Sequence, residues 1–204
     1  FGVAIDTEIC LAAPEILWLA GVGDLVAKLT AVADWKLAFN AVGTLVDDFA
    51  ALLSDATVFQ FIARPTRDLE GVRLLGTSLM LNGIAMEVCG SSRPASGSEH
   101  LISHALDSLG GKPRMHGLQV GVATYLVSLL QGKNSDLIAD LFEKTGFWRA
   151  IEAQPFRRAD WLEALRHAPS IKQDFYTVLS SRDCLPEAEA HLRTDPHLRK
   201  CVAE

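Results

Sequence analysis

Apolar residues recur at helical spacing along almost the whole chain, and only its first residues depart from that pattern. A long apolar run begins at Pro14, a residue that suits the first turn of a helix, and continues to Phe39. Gly21 and Gly23 interrupt this run, and two glycines so close together predict a weakened or kinked helix just before Asp24. The pattern therefore predicts buried helices at the start of the domain.

Further helices are predicted between glycine and proline breaks. The runs are Leu45–Ile62, Leu69–Cys89, about Ser98 to Leu109, Met115–Gln131, and several shorter helices between Asp136 and Val202, with a GGKP turn before Met115. No internal repeat or strong linker divides them. The prediction is an all-α fold: one multi-helix domain over residues 11–204.

Residues 1–10 are the exception. The segment FGVAID is apolar and alternating, which predicts a short strand, yet no second convincing strand follows in the sequence. An isolated strand leaves its backbone donors and acceptors unpaired. We therefore expect residues 1–10 to be a strand remnant whose partners belong to a preceding domain that is absent from this chain.

Charge and cysteine usage exclude several classes of partner. The net charge of −6 argues against nucleic acid, which requires a basic face. The four cysteines are widely spaced without a CxxC pair, a pattern typical of free thiols in the reducing cytoplasm. No uninterrupted apolar run reaches the roughly 20 residues of a bilayer span, so no membrane span is predicted.

Three of the six histidines, His100, His104 and His116, lie within seventeen residues. The first two are four residues apart and share one helix face. Such a pair also arises as one capping and one packing histidine, but His116 raises the odds of a metal site to about even. Asp24 is an acid in an apolar run. It either caps the second half of a kinked helix, forms an ion pair with Lys28, or binds a metal together with the histidines. Asp with two histidines is a set that catalytic zinc uses.

A polar loop precedes the first histidine pair. Ser91, Ser92, Arg93, Ser96 and Ser98 lie beside a predicted helix N-terminus, which attracts anions through its free N–H groups. The alternative is an ordinary capping loop in which Ser96 or Ser98 caps the helix.

Three sequence elements together resemble one family. They are GDLVAK (Gly23–Lys28), SGSEHLISH (Ser96–His104) and HGLQVG (His116–Gly121), in this order. With their surroundings they are similar to the C-terminal helical domain of the sn-glycerol-1-phosphate dehydrogenases. Those enzymes belong to the superfamily of glycerol dehydrogenase, iron-containing alcohol dehydrogenases and dehydroquinate synthase. The resemblance implies a dehydroquinate synthase-like helical half without its N-terminal Rossmann-like domain.

The resemblance also implies roles for single residues. Asp24, His100 and His116 would hold a divalent metal, zinc foremost with nickel or iron as alternatives. His104 would lie near substrate and nicotinamide and relay a proton. The residues implied in substrate binding are Ser92, Arg93, Ser96 and Lys28. Where the family often has an acid after the HG histidine, this chain has Leu118 and Gln119.

The implied reaction is reduction of dihydroxyacetone phosphate by NAD(P)H to sn-glycerol 1-phosphate, a step of phospholipid metabolism in the cytoplasm, by a homo-oligomer. No GxGxxG motif follows a strand here, so NAD or NADP would bind mainly in the missing cofactor domain, and we expect this chain to be inactive without it. Two alternatives stand beside this function: a polyol dehydrogenase domain acting on glycerol, and a non-catalytic, metal-stabilised assembly module.

Overall fold

The computed structural model describes residues 2–110 and 114–203, which fold into a layered set of helices. In chain order these are α1 (Thr7–Ala12), α2 (Glu15–Val26), α3 (Lys28–Val42), α4 (Asp48–Ala63), α5 (Leu69–Cys89), α6 (Ser98–Ser108), α7 (His116–Gln131), α8 (Ser135–Thr145), α9 (Phe147–Glu152), α10 (Arg158–His167), α11 (Val178–Ser181), α12 (Leu185–Thr194) and α13 (Leu198–Cys201), with a 3₁₀ turn at Ala168–Ser170. The all-α prediction is confirmed. Most of the predicted GGKP turn lies outside the described residues.

The chain start differs from its prediction. Residues 2–6 form no strand, and the helix α1 follows at once. The side chain of Asp6 accepts hydrogen bonds from the backbone N–H groups of Glu8 and Ile9, which caps that helix. A strand needs a neighbouring strand to satisfy its backbone, and none lies beside residues 2–6 in the described part of the chain.

The two glycines before Asp24 do not interrupt the helix. Helix α2 continues through Gly21 and Gly23, and the helical pattern breaks only at Ala27, between α2 and α3. Tertiary packing explains the difference. A Cβ built on Gly23 would overlap the carbonyl oxygen of Gly117 on α7, and one on Gly117 would overlap that of Ala20. The glycines therefore let the α2 and α7 backbones touch.

The closely packed α2–α7 pair lies at the centre of the main hydrophobic core. Helices α6, α9 and α10 pack around it, and their largest fully buried side chains include Phe147, Leu101 and Trp161. Burial of aromatic and aliphatic side chains of this size is the main source of stability, at about 1.5–3 kcal/mol for each aliphatic or phenylalanine side chain. The core thus fixes the ends of α2, α6 and α7 relative to one another.

Helices α4 and α5 form an antiparallel pair beside this core. Polar contacts join their inner faces: Ser54 Oγ lies 2.9 Å from Asn82 Oδ1, and the Asn82 amide donates to Thr57 Oγ1 at 2.8 Å. Ser54 Oγ is also 2.6 Å from the carbonyl oxygen of Pro94, so the pair supports the loop that leads into α6. A smaller apolar cluster that includes Trp35 and Ala85 fills the junction with α3.

The last third of the chain forms the predicted short helices and one feature that the sequence did not indicate. Strand β1 (Phe156–Arg157) pairs in parallel with strand β2 (Val202–Ala203), which ties the chain end to α10. Two residues a strand are too few for an alternating pattern. All four cysteines are free thiols.

Two helical stretches are long and apolar enough for a membrane span by length and composition, contrary to the expectation that no run reaches that length. The first, Glu15–Val42, is 67% buried inside the protein over its most apolar window. The second, Leu69–Cys89, is only 28% buried. Buried core helices meet the same criteria, and the first stretch lies in the core.

Candidate metal centre

Three helices bring one predicted ligand each to a common point. Asp24 comes from the last turn of α2, His100 from the first turn of α6 and His116 from the first residue of α7. One ligand atom from each residue lies within 4.8 Å of the others. Asp24 Oδ1 is 3.3 Å from His100 Nε2 and 3.9 Å from His116 Nε2.

These separations suit a small divalent cation. Zinc binds carboxylate oxygen and imidazole nitrogen at about 2.0–2.2 Å, so ligand atoms around a tetrahedral ion are about 3.4 Å apart. The donor set of one carboxylate and two imidazoles leaves a coordination position open for water or substrate. His116 is 43% exposed at its side chain, so the cluster of ligand atoms is accessible from the surface of the domain.

A buried glutamate fixes the orientation of His100. The Glu99 side chain is fully buried, and its Oε1 lies 2.9 Å from His100 Nδ1 and accepts from the backbone N–H of Gly97 at 2.6 Å. Its Oε2 lies 2.8 Å from Thr30 Oγ1. With Nδ1–H donating to the carboxylate, Nε2 is the free nitrogen that faces Asp24.

The hydroxyl of Ser103 and the amide of Gln119 fix the orientation of the His116 ring. Ser103 Oγ donates to Gln119 Oε1 at 3.0 Å and lies 3.2 Å from His116 Nδ1. Because the hydroxyl proton is directed to Gln119, the imidazole Nδ1–H donates to the hydroxyl oxygen, and Nε2 again faces the centre. Gln119, one of the two departures from the family pattern, therefore sets this orientation through Ser103.

The charges around the centre favour an ionised Asp24. Burial raises the pKa of this carboxyl, but Lys28, His100 and His116 together hold it well below its usual range. Burial lowers the pKa of His100, while contacts with Asp24 and Glu99 outweigh burial and raise it. Burial, followed by the charge of His100, lowers the pKa of His116. At neutral pH the centre thus offers one carboxylate and at least one neutral imidazole.

His104 lies beside Asp24, His100 and His116, the three predicted ligands, but is not a member of this cluster. Its ring stacks near that of His116 at 5.7 Å between centroids, and it is 6.2 Å from the His100 ring. Burial and the two neighbouring histidines lower the pKa of His104, so the ring is neutral at neutral pH. A partly exposed neutral imidazole at this distance can accept a proton from a group bound at the centre.

Three of the predicted substrate residues are buried with their polar groups turned inward. Lys28 Nζ lies 3.5 Å from Asp24 Oδ2 and donates to the carbonyl oxygen of Ala95 at 3.2 Å. Arg93 donates to the carbonyl oxygen of Tyr176 and stacks on a phenylalanine ring. Ser96 is 5% exposed, and its hydroxyl has no hydrogen-bond partner within residues 2–110 and 114–203. Ser92 is the partly exposed member of this set.

The N-terminus of α6 is occupied by carboxylates rather than by a serine cap. Gly97 is the capping residue, and no side chain of its own closes the helix. The backbone N–H of Ser98 instead donates to Asp34 Oδ2 at 2.8 Å, and that of Gly97 donates to Glu99. Two buried acids at this terminus disfavour an anion there.

Four residues near the centre escaped sequence reasoning: Glu99, Ser103, Asp34 and Lys172. Glu99 lies within the SGSEHLISH element, directly before His100. This adjacency to a predicted ligand was the only sign of its role in the sequence. Lys172 lies in the closing segment, where its Nζ donates to Ser92 Oγ at 3.2 Å. Its charge is one of the smaller causes of the lowered pKa of His104, after burial and the charges of His100 and His116. Asp34 and Lys172 are distant in sequence from their partners.

Comparison with known proteins identifies relatives along nearly the whole chain. The glycerol-1-phosphate dehydrogenase of Methanosarcina acetivorans is 41% identical over 184 residues, which is 88% of this chain and 51% of that enzyme. The chain is homologous to the glycerol-1-phosphate dehydrogenases. Pyrococcus furiosus has a relative of the same name that is 40% identical over 91% of the chain and 55% of its own length. The relative of the same name from Methanosphaera stadtmanae is 34% identical over 97% of this chain and 58% of its own length.

The chain thus spans about half the length of the curated relatives that it matches. The names of these relatives give NAD(P)+ as the coenzyme of the glycerol-1-phosphate dehydrogenase. No family model matches the chain. The predicted resemblance to half of a glycerol-1-phosphate dehydrogenase is confirmed.

Proposed function

We propose that this chain is the metal-binding and substrate-binding half of a glycerol-1-phosphate dehydrogenase. The observation that carries the proposal is the convergence of Asp24, His100 and His116 within 4.8 Å, in a chain homologous to those enzymes. A divalent cation held by these three residues would supply a Lewis acid for the ketone oxygen of dihydroxyacetone phosphate. Zinc suits the donor set best, and nickel or iron would also bind it.

The chain's own residues orient the substrate and move a proton. When the alcohol is oxidised, the neutral ring of His104, which lies beside the predicted ligands, accepts the hydroxyl proton. When the ketone is reduced, the same ring first takes up a proton from solvent and then donates it to the product oxygen. Lys172 and Ser92 offer a cation and a hydroxyl for the substrate phosphate. Glu99 and Ser103 hold the two ligand imidazoles with Nε2 toward the centre.

A second candidate is a polyol dehydrogenase half that acts on unphosphorylated glycerol. The observation in its favour is the burial of Lys28 and Arg93, which are engaged with carbonyl oxygens and leave fewer cations for a phosphate. Against it stand the names of the relatives. Replacing Lys172 with alanine separates the two, because only a phosphorylated substrate loses affinity.

The residues described here would form half of an active site. A hydride donor must approach the substrate carbon to about 3–3.5 Å. His116 is 43% exposed at its side chain, and Met115, the residue before it, is 38% exposed, so the rim of the centre is open here. We propose that a cofactor domain covers this rim and carries NAD(P)H, as the unmatched part of the relatives' length allows.

Completing the active site tests this function. The chain is fused to the unmatched part of the Methanosarcina acetivorans enzyme, and NAD(P)H oxidation is followed with dihydroxyacetone phosphate and with dihydroxyacetone. Phosphate-dependent turnover that is lost in the Asp24→Asn chimera supports the proposal. A folded, metal-loaded chimera without turnover of either ketone contradicts it, and turnover of the unphosphorylated ketone alone supports the polyol alternative.

A further inference from the structure

Two cations, Arg93 and Lys172, lie over the ring of one aromatic residue, Phe175. The guanidinium carbon of Arg93 is 3.7 Å from the centroid of this ring, and the ammonium nitrogen of Lys172 is 4.8 Å from it. Both distances are within the roughly 6 Å over which the face of an aromatic ring attracts a cation. Phe175 therefore joins two like charges that come from segments distant in sequence.

A turn in the chain brings Lys172 back to the ring. Asp174 has a φ of 55°, in the left-handed region that aspartate adopts more readily than most residues. The turn folds the backbone so that the ammonium group lies over Phe175, three residues later. The carbonyl oxygen of the next residue, Tyr176, accepts from Arg93 Nη1 at 2.6 Å and holds the arginine at the same ring. The backbone from Lys172 to Tyr176 is thus shaped to bring both cations together.

The two positive charges are not neutralised by a contacting acid. Their hydrogen-bond partners are a serine hydroxyl and a backbone carbonyl oxygen, and neither cation forms an ion pair with a carboxylate among residues 2–110 and 114–203. Burial lowers the pKa of Lys172 and of Arg93, although the charges of Glu99 and Asp34 act in the opposite direction. Like charges that are partly removed from water repel each other, and a bound anion would relieve this repulsion.

Open space adjoins both cations. Lys172 lines a cavity of about 640 Å³ and Arg93 lines one of about 500 Å³, and Phe175 and Asp174 line both. The Asp174 side chain is exposed, so water screens its charge. The hydroxyl of Ser92, 3.2 Å from Lys172 Nζ, adds a hydrogen-bonding group. Cations and a hydroxyl beside open space suit an oxyanion such as phosphate, which carries nearly two negative charges at neutral pH.

We propose that Phe175 is a positioning residue for phosphate recognition, because its ring holds Lys172 to contact the phosphate group and Arg93 to add its charge. This inference rests on the proposed function, in which Lys172 and Ser92 bind the substrate phosphate. An aromatic face attracts two cations without neutralising either of them. A carboxylate in the same place would neutralise the cations and repel the phosphate. The preference for a phosphorylated substrate thus depends on an uncharged ring.

Isothermal titration of the metal-free chain with inorganic phosphate tests the role of Phe175. The metal is removed first, so that phosphate cannot bind to it. We expect the wild type to bind phosphate with a Kd of ~1–10 mM. Phe175→Leu should raise this Kd about 3- to 10-fold, because leucine keeps an apolar side chain but has no aromatic face. Phe175→Tyr, which keeps the ring, should bind phosphate like the wild type.

Phe59→Leu is the matched control, because it makes the same change at a half-exposed ring over which neither cation lies, and it should leave the phosphate affinity unchanged. Lys172→Ala should weaken phosphate binding more than Phe175→Leu does, and circular dichroism should show the same helix content in every variant. Equal phosphate affinities for the wild type and Phe175→Leu, or equal losses in Phe175→Leu and Phe175→Tyr, would overturn the inference.

A wild type without saturable phosphate binding up to about 50 mM would overturn it as well. Failure of the proposed function is a separate result, because it is measured by the turnover of the chimera and by zinc uptake. A chain that takes up zinc but binds phosphate equally well with phenylalanine or leucine at position 175 would keep the metal centre and lose only the role of Phe175.

Discussion

At the residue scale, the chemistry of the centre depends on side chains that support the ligands. Glu99 is the most telling of these, because a fully buried carboxylate is costly unless its oxygens are hydrogen-bonded. Both of its oxygens have partners, and one of them is the His100 imidazole. Carboxylates behind metal-bound histidines fix the ring and raise its basicity. We therefore assign Glu99 to positioning the ligand.

Replacing Glu99 by glutamine should weaken zinc binding about 10- to 100-fold, because the ring loses its anionic partner while the shape is kept. Isothermal titration with zinc measures the change. Thr30→Val is the matched control: it removes one contact with Glu99 but leaves the one with His100, so its effect should be smaller. Equal zinc affinities for Glu99→Gln and wild type would refute the assignment.

The sequence predicted the ligands better than their supports. Asp24, His100 and His116 lie in motifs that could be compared with a family, and the structure brings all three together. Lys172 and Ser92 are 80 residues apart, and no local pattern links them. Lys28 and Arg93 were predicted to bind substrate, but both donate to buried carbonyl oxygens. A charged residue in a motif does not reveal whether its charge faces a substrate or such a carbonyl oxygen.

At the element scale, the position of His116 relative to Asp24 is set by the contact between α2 and α7. Periodicity predicted both helices, but it could not predict that their backbones touch, because glycine spacing alone suggested a kink. The Gly23 and Gly117 positions have no room for a methyl group. The centre therefore depends on two residues that carry no side-chain chemistry.

Gly117→Ala should force these helices apart and lower the free energy of unfolding by about 1–3 kcal/mol, the usual cost of overpacking. It should also weaken zinc binding, since His116 is the adjacent residue. The matched control is Gly83→Ala on α5, where no atom lies within 4 Å of the added methyl group and helix propensity favours alanine. Urea denaturation measures the unfolding free energy of both variants, and isothermal titration measures their zinc affinity. Equal losses of stability in Gly117→Ala and Gly83→Ala would contradict the close packing of α2 and α7.

Asp34 joins four segments and introduces a pH dependence. It accepts from the backbone N–H groups of Ser98 and Val178 and from the Gln131 amide. Burial, followed by the charge of Glu99, nevertheless raises its pKa to about 6. A group whose pKa is higher in the folded state binds a proton there preferentially, so its contribution to stability is complete below the unfolded pKa of 3.8 and is lost as pH rises through about 6.

Comparison of the wild type with the non-titrating Asp34→Asn variant isolates the pH-dependent contribution of Asp34 to the free energy of unfolding. The difference in unfolding free energy, wild type minus variant, should fall by up to about 3 kcal/mol between pH 4 and pH 7. Urea denaturation at a series of pH values gives the curve. A difference that stays constant, or one that rises with pH, would show that Asp34 is not protonated in the folded protein in this range.

At the scale of the whole molecule, the chain has a metal centre and a pair of cations that meet at one aromatic ring. Sequence reasoning predicted the all-helical architecture and the likeness to half of a dehydrogenase. It could not predict the Phe156–Val202 pairing or the contact between Arg93 and Phe175, because both depend on which segments meet in space.

Metal content of the purified chain tests that centre most directly. After chelation and dialysis, the wild type should take up one zinc ion per chain, while Asp24→Asn and His116→Ala should retain little. His167→Ala removes an exposed histidine that pairs with Glu163 and is not one of the three predicted ligands, so this variant should bind zinc like the wild type. If the wild type takes up no more zinc than Asp24→Asn and His116→Ala, the centre does not bind metal and the proposed function fails.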